Sequence, residues 1–164
     1  MFLIIAAAVL LAVIAYQNYK YPQLRNLTIS DGLYGVVPNF YLLDGAYVLL
    51  AVALCLTFQH PLAYGASLAL IVTAISNSAS VWVDKVTKGK HNEIHTWATI
   101  VMFVLVLALE FYKDTGWRWY LTIAGIVLPG VVAAALDEAK SKILPGPAAE
   151  KTAVLLLCAW LMTW

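Results

Sequence analysis

The chain has few charged residues. Only 12% of its 164 residues are charged and 63% are hydrophobic, whereas an average soluble domain carries about 25% charged residues. This composition, with a mean hydropathy of +0.83, excludes an ordinary water-soluble domain. The net charge of +1 also excludes a strongly basic nucleic-acid binder, so we expect no nucleic acid among its partners.

The motifs of several common chemistries are also missing. The two cysteines, Cys55 and Cys158, lie in apolar runs without C-x-x-C spacing, which excludes a thiol redox motif, a zinc ribbon and a disulfide framework. The chain has no G-x-S-x-G, Walker, dinucleotide-binding or haem-attachment motif. These absences exclude the commonest soluble enzymes and leave open whether the protein is an enzyme.

Long apolar runs are what the sequence does contain. At about 20 residues per membrane span, the length accommodates at most about six transmembrane helices. The sequence therefore predicts one all-α integral membrane domain over residues 1–164, a polytopic transmembrane helix bundle of about six helices. Five are possible, because only 13 residues follow Lys151 in the last run. The predicted spans are 2–18, 40–58, 63–83, 94–112, 119–136 and 150–164.

The distribution of lysine and arginine predicts the orientation. The second and fourth connections carry only Lys113 and Arg118. Because cytoplasmic loops are rich in positive charge, we expect the odd-numbered loops in the cytoplasm and the N-terminus outside. The odd connections carry the other eight basic residues: Lys20, Arg25, Lys85, Lys88, Lys90, Lys140, Lys142 and Lys151.

Most of the remaining polar residues are expected at that cytoplasmic end. On the third span a polar stripe recurs every three or four residues, and on the fourth His91, His95 and Thr99 are each four apart, which places each set on one helix face. The two faces are expected to meet in a polar cleft. The stripe consists of Thr73, Asn77, Ser80 and Asp84, and the cleft of Arg25, Ser30, Asp31, Asp44, Asp84, His91 and His95.

Three interpretations of this cleft are open. Histidines at i and i+4 are the spacing of helical zinc ligands, so His91, His95 and Asp84 are candidate ligands, with Asp31, Asp44 and Asp84 as candidate catalytic groups. The structural alternative is that the polar residues are ordinary helix–helix contacts. The third is a site for anionic lipid or a protein partner, built on Arg25, Lys85, Lys88 and Lys90.

The first loop carries a family resemblance. Residues 22–31, followed by Asn39, Phe40 and Gly45, resemble a six-span family of prokaryotic membrane proteins, the domain-of-unknown-function family nine-nine-eight, which is similar in layout to the Frag/DRAM/Sfk-like proteins. The resemblance covers residues 1–136. It implies a six-helix fold in a prokaryotic cytoplasmic membrane, with Asp84 and His95 in the family's acidic and histidine positions. The chain departs from the family at Val83, where a proline often lies nearby, and in its short last segment.

We expect a small integral membrane protein that acts as an accessory or lipid-interacting subunit, because little chain is available outside the bilayer. Membrane lipid and a larger membrane protein complex are the expected partners. The alternative is a metal-dependent intramembrane hydrolase or lipid-modifying enzyme with a His-x-x-x-His site and a divalent metal such as zinc.

Overall fold

A computed structural model describes residues 1–22, 41–87, 90–113, 120, 123 and 145–164, with the helical residues of 77–93 and residues 145–150 given by their backbone only. Across these residues the chain is helical and has no strand. The predicted all-α helical bundle is confirmed. Its helices are α1 (Phe2–Lys20), α2 (Tyr41–Phe58), α3 (Pro61–Thr87), α4 (Lys90–Lys113) and α5 (Pro145–Leu161).

Three segments are long and apolar enough to cross a membrane. They are Phe2–Lys20, Tyr41–Phe58 and Ile94–Lys113, and two shorter apolar stretches, Pro61–Ser76 and Lys151–Leu161, lie in α3 and α5. Large apolar side chains cover the outside of these helices, among them Val52, Leu56 and Val104. A helix that is apolar on its outer as well as its inner face has lipid as its solvent, so the chain is a membrane protein.

The helix bounds differ from the predicted spans in every described helix, most at α3, α4 and α5. Helix α4 begins at Lys90, four residues before the predicted start at 94, and α5 ends at Leu161 instead of 164. Helix α3 continues four residues beyond the predicted end at 83. Helix α5 begins at Pro145 instead of 150. Pro145 and Pro147 both fall in the first turn, where the backbone N–H groups make no hydrogen bond within the helix, so proline, which has no N–H, is tolerated there. The predicted span 119–136 lies outside the described residues except for Tyr120 and Ile123, which are helical.

Helix α2 is the centre of the described bundle. Half of its apolar window is buried, against 28% for the windows of α1 and α4. It packs on α1 and α3, while α4 packs on α3 and α5 on α1. Small residues let membrane helices approach closely, and the described core alternates leucine with alanine: Ala6, Ala7, Ala46, Ala51, Ala53, Ala63, Ala66, Ala69 and Ala74.

A two-residue turn joins α2 to α3. Gln59 has a φ of 44°, the left-handed conformation that commonly ends a helix, and its N–H donates to the Cys55 carbonyl at 3.2 Å. His60 then caps α3, since its Nδ1 accepts the N–H of Leu62 at 3.3 Å while Pro61 takes the first helical position. The turn makes α2 and α3 an antiparallel pair.

The C-terminus is fixed at the same end of the bundle. The Trp160 ring stacks on Phe58, the last residue of α2, with centroids 5.7 Å apart. The Trp164 ring meets Phe58 edge-on at 5.4 Å. The ring of His60 stacks on Tyr112 near the end of α4, with centroids 4.5 Å apart. The ends of α2, α4 and α5 therefore lie together.

Candidate functional site

A buried polar joint connects α3 to α4 and consists of Thr73, Ser76 and His95. The three side chains are 2%, 5% and 6% exposed. Nδ1 of His95 lies 3.3 Å from Ser76 Oγ and 3.4 Å from the Thr73 carbonyl oxygen. Within α3, Ser76 Oγ donates to that same carbonyl at 2.8 Å, and Thr73 Oγ1 donates to the Ala69 carbonyl at 2.9 Å.

The donor and acceptor roles at His95 Nδ1 depend on the imidazole tautomer. A backbone carbonyl only accepts hydrogen bonds, so the bond to Thr73 O needs the tautomer that carries the hydrogen on Nδ1, whereas in the other tautomer Nδ1 accepts from the Ser76 hydroxyl. A hydrogen bond from one ring nitrogen to a carbonyl fixes the orientation of the ring, so Nε2 is directed away from α3's carbonyl.

Asp44 lies at the level of this joint. Ser67 Oγ donates to the Ala51 carbonyl at 2.8 Å, which sets the register of α3 against the antiparallel α2. Asp44 is seven residues from Ala51 towards the start of α2, and Ala74 is seven residues beyond Ser67, so both lie about 10.5 Å from this hydrogen bond. Asp44 is only 8% exposed, in the first turn of α2, where the helix dipole favours its charge.

The other candidate residues are placed less fully. Asp84 and Lys85 lie in the last turn of α3, and Lys90 and His91 are the first two residues of α4, so all four belong to the end of the bundle where α3 meets α4. Their side chains are outside the described set. Arg25, Asp31 and Lys88 lie outside it entirely. No group of three potential metal-binding side chains occurs among the side chains that are described.

An apolar groove runs along the outer side of the α3–α4 pair. Its cavity volume is about 480 Å³. Each helix contributes four residues over two turns, or about 10.5 Å of its axis. The lining side chains are Gly65, Leu68, Ala69 and Val72 from α3 and Ile94, Trp97, Ala98 and Val101 from α4. We call this surface the α3–α4 groove.

Small residues create the groove. A Cβ atom on Gly65 would lie 3.0 Å from Leu105 Cδ1, so α4 approaches the α3 backbone there without an intervening side chain. Ala69 and Ala98 leave the middle of the groove open, while the exposed side chains of Leu68 and Trp97 form its rims. The α4 side of the groove belongs to Ile94–Lys113, a segment that is long and apolar enough to cross a membrane.

Sequence reasoning missed this groove and two buried polar groups. Gly65, Ala69 and Ala98 alternate with large apolar residues at helical spacing, and that pattern was the available signal for a groove. Gln17 is 4% exposed, and its Nε2 has no hydrogen-bond partner within the described part of the chain. Glu110 is only 1% exposed near the end of α4.

Comparison with known proteins adds no relative. No family model matches the chain, no curated protein matches it and no solved structure matches it. The resemblance of residues 1–136 to family nine-nine-eight therefore stays a prediction.

Proposed function

We propose that the protein is a small lipid-interacting membrane protein that holds an acyl chain of a membrane lipid in the α3–α4 groove. The observation that carries this proposal is the groove itself. Its volume of about 480 Å³ lies within the range of about 300–1,000 Å³ typical of small-molecule sites. Its lining is apolar and lies on helices that face hydrocarbon, so an acyl chain is the ligand that this surface meets.

The polar joint lies next to the groove and stabilises the packing of α3 on α4. Val72 and Thr73 are neighbours on α3, as are Ile94 and His95 on α4, so each helix presents one residue to the groove and the next to the joint. The hydrogen bonds of His95 hold the two helices at a fixed separation. Binding of an acyl chain to a groove of fixed width loses less conformational entropy than binding to a flexible surface.

Retention of phospholipid by the purified protein tests the proposal. Native mass spectrometry of the protein in mild detergent is expected to detect phospholipid bound to the wild type. In Ala98→Phe a large side chain replaces the half-buried alanine in the middle of the groove. Loss of packing along two helical turns is expected to lower phospholipid retention by about tenfold.

The matched control is Ala8→Phe, which adds the same side chain at an exposed position of α1. Helix α1 packs on α2 and α5, so this change lies away from the groove and is expected to leave lipid retention unchanged. Equal retention in Ala98→Phe and the wild type would contradict the proposal. If the protein is also an accessory subunit, a larger membrane protein should copurify with the wild type. The absence of such a protein would contradict the accessory role and leave the lipid-binding role unaffected.

A second candidate is the metal-dependent hydrolase with His95 as a ligand. One observation favours it: Nδ1 of His95 points to the Thr73 carbonyl, and metal-binding histidines commonly donate their other ring N–H to a carbonyl in this way. His91 and Asp84 would supply further ligands from the same end of the bundle. Elemental analysis of His95→Ala tests this, with His60→Ala at the opposite end as its control. Equal metal content in the two variants would exclude the candidate.

A further inference from the structure

We propose that Tyr16 and Lys20, in the last turn of α1, bind the phosphate of a membrane phospholipid. Both side chains are exposed, and because they are four residues apart they share one face of the helix. This site goes beyond the proposed function. Helix α1 packs on α2 and α5, whereas the groove lies between α3 and α4.

The tyrosines around Lys20 hold its ammonium in place. Lys20 Nζ donates a hydrogen bond to the Tyr16 hydroxyl at 3.1 Å. It also lies 5.5 Å from the ring centroid of Tyr16 and 5.6 Å from that of Tyr21, and a cation within about 6 Å of an aromatic centroid is attracted by the ring. An ammonium held in this way loses little conformational freedom when it binds a ligand.

The end of α1 places the Tyr21 ring beside that ammonium. Pro22 follows Tyr21, and a residue before a proline avoids the helical conformation. Tyr21 accordingly has a φ of −127° and a ψ of 80°, while its N–H still donates to the Gln17 carbonyl at 2.8 Å. The last turn therefore stays closed, and the chain leaves the helix with Tyr21 next to Lys20.

The pair presents two hydrogen-bond donors to one ligand. An ammonium has three N–H donors and no acceptor, and one of the three is used by Tyr16. The Tyr16 oxygen accepts that bond, so its own hydroxyl hydrogen is left to donate. The two donor atoms lie 3.1 Å apart, a separation at which they can bind neighbouring oxygens of one phosphate group.

The charge of Lys20 selects an anionic ligand. Lys20 is the only charged side chain in residues 1–22, so its helix supplies no counter-charge. Asp44 of the neighbouring α2 is buried, whereas Lys20 is exposed. Hydrogen bonds from a charged donor to an anionic oxygen are about twice as strong as neutral ones.

The position of the pair identifies the source of the phosphate. Lys20 is the last residue of the candidate span Phe2–Lys20, and the exposed positions that lead up to the pair include Ala12 and Ala15. Lysine and tyrosine at the end of an apolar span lie at the level of the lipid head groups. Phospholipid phosphate is concentrated at that level, whereas free phosphate is dilute in the water beyond it.

The rate at which Lys20 is acetylated tests the site. The full-length protein is placed in nanodiscs of phosphatidylcholine or of digalactosyldiacylglycerol, two lipids without net charge of which only the first has a phosphate. A water-soluble acetylating reagent modifies exposed amines, and peptide mass spectrometry gives the rate at each lysine. Lys20 should react about fivefold more slowly in phosphatidylcholine, the factor that one hydrogen bond of ordinary net strength supplies.

Lys113 is the internal control in both bilayers. It also ends a candidate span, and its Nζ lies 5.7 Å from the Tyr112 ring centroid. Its rate should be the same in the two lipids, because no hydrogen bond to a tyrosine hydroxyl is described for it. Equal protection of Lys20 and Lys113 would overturn the proposal, as a general effect of the bilayer on amines.

A matched pair of variants tests the hydroxyl. Tyr16→Phe should reduce the fivefold difference between the two bilayers to less than twofold, whereas Tyr19→Phe, which removes the hydroxyl of an exposed tyrosine outside the site, should leave it unchanged. If the Tyr16 hydroxyl only positioned the amine, Tyr16→Phe would change the rate equally in both bilayers. An unchanged difference would therefore overturn the role of Tyr16.

The remaining outcomes concern the ligand itself. Equal rates at Lys20 in the two bilayers would overturn the proposal. Millimolar inorganic phosphate added to the galactolipid nanodiscs should leave the rate unchanged, and protection by phosphate alone would overturn the lipid as its source. Ala98→Phe should leave Lys20 protected, so a failure of the groove and a failure of this site are distinguishable.

Discussion

His95 of α4 lies 3.3 Å from Ser76 of α3, measured from Nδ1 to Oγ, and both side chains are buried. This contact links the two helices that form the α3–α4 groove. Inside a membrane, lipid replaces water on the outside of the bundle, so burial of apolar area between helices contributes little. Polar contacts of this kind and close packing of small residues have to hold the pair together.

The first prediction concerns the strength of that contact. Ser76→Ala and His95→Leu should each destabilise the protein, and the double variant should lose less than their sum because both remove one interaction. The expected coupling free energy is about 0.6 kcal/mol and at most about 1.7 kcal/mol, as for other hydrogen bonds between membrane helices. Reversible unfolding in mixed micelles measures it. The control is the pair Ser76→Ala with His60→Ala, because His60 caps α3 about 24 Å along the helix axis from Ser76. Additive losses for Ser76 and His95 would refute the contact.

The helices were easier to predict from the sequence than this site. Long apolar runs and their polar boundaries indicate α1 to α4 to within a few residues, because an uninterrupted run of about 20 apolar residues is typical of a membrane helix. The four-residue spacing placed Thr73 and His95 on stripes that should face each other. The stripe also includes Asn77 and Ser80, whose side chains lie outside the described set, and it leaves out Ser76, which makes the described contact together with the Thr73 carbonyl.

The predicted stripe and the observed contact differ because periodicity carries only part of the information about helix packing. It assigns residues to a face, but the rotation of one helix against another is set by close approaches such as Gly65 to Leu105. A backbone carbonyl that accepts from a side chain also has no signature in the sequence. The groove was missed for the same reason, since a gap between two helices depends on their separation as well as on which residues are small.

Gln17 carries the second prediction. Its Nε2 has no hydrogen-bond partner among the described residues, and an unsatisfied buried amide costs about 1–3 kcal/mol. Gln17→Met keeps the side-chain length, removes the amide, and should raise the free energy of unfolding by about 1 kcal/mol. The comparison is Asn18→Leu at the neighbouring position. Asn18 Nδ2 donates to the Ile14 carbonyl at 2.8 Å, so removal of this amide should not stabilise the protein. A Gln17→Met protein that is less stable than the wild type would contradict the expectation.

The turn between α2 and α3 carries the third prediction. Gln59 is exposed and has a φ of 44°, a conformation that costs a residue with a Cβ about 1–2 kcal/mol. Glycine removes this cost but loses about 0.5–1 kcal/mol through the greater entropy of the unfolded chain. Gln59→Gly should therefore raise the unfolding temperature slightly, and the β-branched Gln59→Val should lower it. Thermal denaturation in detergent compares the two, and a more stable valine variant would show that the backbone strain is absent.

The capping histidine carries the fourth prediction. His60 accepts the Leu62 N–H and also stacks on Tyr112, and a helix cap is worth about 1 kcal/mol. His60→Asn retains an acceptor for the cap and loses only the stacking, so it should be more stable than His60→Ala in the same unfolding assay. Tyr112→Leu, which leaves the cap intact, should match His60→Asn. Equal stability of His60→Asn and His60→Ala would show that the cap contributes nothing.

The last prediction concerns the membrane sides of the two termini. Trp164, the last residue, contacts Phe58 at the end of α2, so the C-terminus lies at that end of the bundle. Helices α1 and α2 are consecutive candidate spans in contact, and consecutive spans cross in opposite directions, which places the N-terminus at the same end. Single cysteines appended to either terminus, in a Cys55→Ala and Cys158→Ala background, should therefore react alike with a membrane-impermeant maleimide.

Because eight of the ten basic residues lie in the odd-numbered connections, we expect both cysteines to be labelled from outside intact cells. Labelling of only one terminus would refute the shared end, and labelling of both only after lysis would reverse the orientation.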